Sequence, residues 1–205
     1  MTASLDGVRA REAVGRIKEH LSVFPEDPRE FWRGYCLAVH GLAFEIRRHG
    51  LARALATSLA ASGSNNKASD NNARNCGRLA ALKDIAVGLN GWLNKVPDTT
   101  TSESFRVAIK TFCETEDSDY NNLRTKAKEA IEQLVDLNFE THGLVQHEVV
   151  ESIAWLKNLS APYKPKESEG DKAVAESEGG EIGTLAQEQQ QDEETPADEA
   201  GGSEA

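Results

Sequence analysis

The sequence is poor in the features that mark several protein classes. Aromatic residues make up 6% of its 205 residues, and it has only six prolines and three cysteines. No apolar run approaches the roughly 20 residues that a membrane span needs, so a membrane protein is not expected. The N-terminus, MTASLDGVRAREAVGRIK, carries charges where a signal peptide needs an apolar block, so secretion is not expected either. Cys36, Cys76 and Cys113 are odd in number and widely spaced. That pattern suits free thiols in a reducing cytoplasm, not a disulfide framework or a zinc site. A phosphate-binding loop, a dinucleotide fingerprint and a nucleophile elbow are all missing.

What the chain does have is acid, unevenly placed. The formal charge is −11, with 34 acidic against 23 basic residues. Residues 166–205 hold 13 acids and two lysines, so the rest of the chain is electrically balanced. A strongly basic nucleic-acid protein is therefore excluded. Aromatics stop at Tyr163, and the like charges beyond it repel. Such a segment cannot bury enough surface to offset its ordering entropy. The expected organisation is one helical domain over residues 1–163 and a disordered acidic tail over 164–205.

Within the body the apolar residues recur with a helical period. The spacing predicts helices at about Asp6–Ser22, Pro28–Arg48, Leu51–Ala61, Ala73–Leu93, Glu103–Cys113, Asp119–Phe139 and Gln146–Ser160. Pro25 and Pro28 stop the first helix, and Pro28 is tolerated in the first turn of the second. Gly50 ends the second, because glycine accepts the left-handed backbone found at helix ends. Loops are expected at Ser62–Asn72, Val96–Ser102 and Glu114–Ser118. Thr100 and Glu103 have the spacing of a capping box. No stretch alternates with period two. The fold class is all-α: a compact bundle of six or seven helices.

Chemistry for catalysis or metal binding is thin. His147-Glu148-Val149-Val150-Glu151 lacks the second histidine that would put two imidazoles on one helix face. It reads as the acid-rich first turn of the last helix. His142 reads as a loop histidine beside Gly143. Cys36 lies between apolar neighbours and reads as a core residue. No catalytic residue, metal or cofactor is expected.

One pattern stands out. Arg33, His40 and Arg47 are spaced by seven on the second helix. Seven residues advance a helix to within about 20° of two full turns, so the three form a stripe roughly 21 Å long. Arg48 lies beside it and Arg53 follows the break at Gly50. A line of donors can track the phosphates of a strand without reading its bases. The plainer reading is a solvated helix face. Leu37 and Phe44 lie near the same side, where a bundle or a neighbouring subunit could cover part of it. Lys67, Arg74 and Arg78 form a second basic set, and Arg124, Lys126 and Lys128 a third; Lys83 stands alone. For these the plain reading is a mixed surface.

The string GYCLAVHGLAFEIRRHGLARALATSLA is similar to the small helical subunit of type III CRISPR effector complexes, above all of the Cmr (type III-B) branch. The shared pattern is Tyr35 heading an apolar helix, His49 before Gly50-Leu51, and an alanine-rich run from Ala52 to Ala60. Trp92-Leu93 and Trp155-Leu156-Lys157 match two further family motifs. The resemblance runs from about Asp6 to Ala161. The position of His49 is commonly Asn in the family, and the family usually ends soon after its Trp-Leu-Lys helix. What the resemblance implies is a non-catalytic subunit that stacks head to tail with its own copies, beside other effector subunits. Its basic surface would face guide RNA and target RNA, with sequence supplied by base pairing. The residues expected there are Arg33, His40, Arg47, Arg48, Arg53, Lys67, Arg74 and Arg78. The alternative left open is a helical protein-interaction or regulatory subunit with no nucleic-acid role, its acidic tail serving as a solubiliser or an electrostatic decoy.

Overall fold

The apolar stripes do become helices. The computed structural model describes residues 4–23, 28–63 and 69–165. Among them are seven α-helices: α1 (Leu5–Val23), α2 (Pro28–His49), α3 (Leu51–Ala61), α4 (Ser69–Leu93), α5 (Glu103–Glu114), α6 (Tyr120–Val135) and α7 (Phe139–Ser160). Two 3-10 turns, Asp98–Thr100 and Ala161–Tyr163, complete the described elements, and no strand is among them. The fold is all-α. The chain divides into two units, Met1–Pro165 and Lys166–Ala205. Lys164 and Pro165 thus fall with the helices instead of the tail. The expected tail beyond them lies outside the described residues, as does Lys67.

Local chemistry explains the helix ends, and corrects some expectations. Gly50 has φ 80°, a backbone that a side chain would strain, and it separates α2 from α3. At α5 the cap is Ser102, whose Oγ accepts from the Phe105 amide at 3.3 Å. Thr100 sits in the preceding 3-10 turn, so the expected Thr100–Glu103 box does not form. Asp119 caps α6 by accepting from the Asn122 amide at 3.2 Å. Asn138 caps α7 by accepting from the Thr141 amide at 2.9 Å. That last cap moves the α6–α7 boundary: α6 ends at Val135, and His142 and Gly143 lie inside α7, not in a loop. An exposed glycine inside a helix costs only about 1 kcal/mol against alanine, which a capped helix tolerates.

α4 is the hub, packing against α1, α2, α3, α5, α6 and α7. Every residue from Leu79 to Ala86 is buried, more than two turns in succession, so α4 is covered on all sides and not along one stripe. α2 approaches it most closely. A Cβ on Gly34 would overlap the Arg74 carbonyl oxygen, and one on Gly77 would overlap the Phe31 carbonyl oxygen. The two glycines let the backbones touch. α7 closes the bundle against α1 and α2. Trp32 of α2 stacks on Tyr163 at a centroid distance of 4.7 Å. Arg9 of α1 grips Glu148 of α7 with two bonds, Nε to Oε1 at 2.7 Å and Nη2 to Oε2 at 2.5 Å. Glu148 is therefore a buried ion-pair partner in the interior of α7, not a first-turn acid. No helix among the described residues is long and apolar enough to cross a membrane.

Candidate nucleic-acid interface

Amphipathic burial sets which side of α2 stays open. Phe31, Tyr35, Val39, Leu42 and Ile46 are buried, and Trp32 and Cys36 pack toward α7. Residues advance by about 100° along a helix. Arg33, Leu37, His40, Gly41, Phe44, Arg47 and Arg48 therefore share one arc of roughly 120° on the other side. Leu37 is 49% and Phe44 60% exposed, so the bundle leaves about half of each side chain open.

The expected contact residues fall into three groups. Arg47, Arg48 and Arg53 are exposed, and among the described residues no carboxylate lies within 4.0 Å of them. Arg47 and Arg48 also sit in the last turn of α2, where cations suit the helix dipole. Arg33 and Arg74 are committed elsewhere: both reach Glu30, at 3.5 and 3.2 Å. Arg78 donates to the Ala61 carbonyl at 2.8 Å, closing the end of α3. The surroundings of His40 disfavour its cationic form. Burial, then the charges of Lys157 and Lys164, push its pKa below the usual histidine value. Its Nε2 is shut from solvent with no hydrogen-bond partner among the described residues.

That electrostatic effect reveals cations the sequence reading left out. Lys157, at the end of α7, and Lys164, after the last 3-10 turn, come close enough to act on His40. Both are exposed. They extend the basic face of α2 across to α7. Only the packing of α2 on α7 joins them, because they lie more than 100 residues away in sequence.

The third basic set lies elsewhere. Arg124 rests against Gly63, where a Cβ would collide with its guanidinium. Lys126 pairs with Glu129 at 2.8 Å and Lys128 with Glu132 at 3.6 Å. An open groove between α3 and α6 is floored by Ala56, Leu59 and Ala60, with Arg124, Lys128 and Glu132 among its lining residues. Its charges are mixed, so it does not favour a polyanion. The chain matches no known family, no curated protein and no solved structure.

Sequence reading missed the strongest polar cluster in the fold. Asp84, in the middle of α4, is only 3% exposed. Its Oδ1 accepts from Arg16 Nε at 2.5 Å, and its Oδ2 from His20 Nε2 at 2.8 Å and the Tyr35 hydroxyl at 2.7 Å. Lys83 is not isolated: Nζ donates to the Thr115 carbonyl and to Asp117 Oδ1, both at 2.5 Å. Arg16, His20, Tyr35 and Lys83 each donate to an oxygen of the protein itself, so the cluster ties α1, α2, α4 and the α5–α6 connection together. Among the described residues no group of three His, Cys, Asp or Glu could hold a metal ion. Of the thiols, Cys36 is buried and Cys76 and Cys113 are partly buried. Burial pushes Cys36 and Cys76 up and Cys113 up to about 12. The folded chain should react with a thiol-specific disulfide reagent at pH 8 at least roughly tenfold slower than the unfolded chain. A fast phase of one thiol per native chain would contradict this.

Proposed function

We propose that this chain is a non-catalytic small subunit of a type III CRISPR RNA-guided ribonucleoprotein acting in the cytoplasm in antiviral defence. In this reading it stacks with copies of itself beside other effector subunits, and it binds the backbone of guide and target RNA without sequence specificity. The motif resemblance from Tyr35 to Lys157 supports the class. The observation that carries RNA contact is the set Arg47, Arg48 and Arg53, exposed and without carboxylate partners among the described residues. Cations unpaired within the fold remain available for phosphates, and sequence-blind contact needs only charge and spacing. Arg33, Arg74 and Arg78 add less, because each already serves the fold. Lys67 lies outside the described residues.

The test is charge reversal. Arg47→Glu with Arg48→Glu should weaken binding of single-stranded RNA at low salt by more than about tenfold. The slope of log affinity against log salt should become shallower by roughly 0.7 for each phosphate that the variant no longer neutralises. The helix-end cost is under about 1 kcal/mol per site, so circular dichroism should stay unchanged. Unchanged binding in a fluorescence anisotropy titration would remove the RNA reading. It would favour the protein-interaction subunit, for which exposed Leu37 and Phe44 are the supporting observation.

A further inference from the structure

Gly41 lies in the middle of α2 on its open arc, and a Cβ there would meet nothing within 4 Å. Glycine at an exposed helix position costs about 1 kcal/mol against alanine. At Gly34 and Gly77 close packing demands the missing side chain. At Gly41 no packing does. The empty space has two apolar walls. Leu37 precedes it by one turn and Phe44 follows it by nearly one turn, their Cα atoms roughly 10 Å apart along the axis. Neither side chain enters the space over Gly41, so the helix surface carries a notch.

The surroundings of the notch decide what fits it. Arg47 and Arg48 lie about one turn beyond Phe44, one on each side of its position around the helix. His40, one turn before Phe44, lies within reach of the charges of Lys157 and Lys164. An apolar protein surface seated here would have to desolvate Arg47 and Arg48 without return. A single-stranded nucleic acid offers both complements at once, flat ring faces for the apolar walls and phosphates for the cations. A duplex keeps its bases stacked inside and offers only the phosphates.

We propose that the notch over Gly41 receives one unstacked base of a single-stranded nucleic acid, held between Leu37 and Phe44, while Arg47 and Arg48 take adjoining phosphates. The inference rests on the nucleic-acid reading above and adds to it a preference for single strands over duplexes. The molecule supplies its own control. Phe139 is more exposed, at 94%, and lies one turn from Gly143, which is equally open. No lysine or arginine occurs between Val135 and Leu156, so the helix that carries that pair gives it no cation one turn away.

The experiment titrates the full chain with a short uridine oligonucleotide and with an abasic phosphodiester strand of equal length. Phe44→Ala, and separately Gly41→Leu, should weaken the uridine strand about tenfold and leave the abasic strand unchanged. Gly41→Leu raises helix propensity, so a loss of binding by that variant is not a loss of folding. Phe139→Ala should change neither. If Phe44→Ala and Gly41→Leu leave both affinities as they were, the base notch is wrong and the charge contact stands. If the unaltered protein binds neither strand, both fall.

Discussion

Replacing Asp84 with alanine should cost the fold about 3–5 kcal/mol, the range for one partner removed from a buried ionic cluster. For a body of this size the thermal midpoint should drop by roughly 6–20 °C. The reason is the number of groups left without an acceptor. His20 is 1% exposed and Tyr35 0%, and both point at Asp84 Oδ2. Arg16 would lose its shortest interhelical bond, keeping Glu19 at 2.5 Å and Asp117 at 3.4 Å. Lys83→Met should cost less, about 1–3 kcal/mol, because its partner Asp117 is partly exposed and can be solvated. Urea denaturation of the two variants orders them directly. Equal or reversed costs would show that Asp84 is not the centre of the cluster.

The same carboxylate fixes a pH dependence. Burial alone would raise the Asp84 pKa, but the hydrogen bond and charge of His20 and the guanidinium of Arg16 hold it below the usual range. A carboxyl depressed by folding adds stability above its unfolded pKa, roughly 3.9. That stability is lost as pH falls through the lower folded value. The wild-type protein should lose this contribution below about pH 4. The Asp84→Ala protein has none to lose, so its stability should fall less steeply over that interval. Parallel stability curves for the two proteins would contradict the assignment.

How much of this was readable from the sequence depends on the helix. α2 has one apolar face, so its boundaries, its buried side and its basic arc all followed from spacing. α4 is surrounded and has no dry-and-wet division, so periodicity placed its apolar residues but could not say what Lys83 and Asp84 do. The signal was present in the run Leu79–Leu89: two adjacent charges in an otherwise apolar stretch, with no face on which to expose both. Buried charges must be paired, so that run implied partners from other elements. Their identity, Arg16, His20, Tyr35 and Asp117, required the packing. The division of the basic residues was equally hidden. Arg33 reaches Glu30 within α2, three residues away, but Arg74 joins them only because α4 meets α2 closely, whereas Arg47, Arg48 and Arg53 sit at the α2–α3 corner beyond that contact. Gly143 misled in the opposite way. It looked like a break, but the cap that starts α7 is Asn138, five residues earlier.

The glycines of α2 and α4 turn the closeness of that meeting into a second large effect. Adding a methyl at Gly34 or Gly77 should destabilise the protein by about 3 kcal/mol, at the upper end of the overpacking range. In each case the methyl would meet a backbone carbonyl, of Arg74 or of Phe31, and not the tip of a side chain that could rotate away. The only relief is to move α2 and α4 apart, which loosens Phe31, Tyr35 and Leu79 along the contact. At Gly41, two turns farther along nearly the same side of α2, the identical change should stabilise by up to about 1 kcal/mol, because the methyl enters open space and the helix gains propensity. Glycine-to-alanine changes seven residues apart on α2 should therefore carry opposite signs. Urea midpoints measured for Gly34→Ala, Gly77→Ala and Gly41→Ala test this without any ligand. A Gly34→Ala or Gly77→Ala protein as stable as the parent would mean that the two helices do not cross where their glycines face each other.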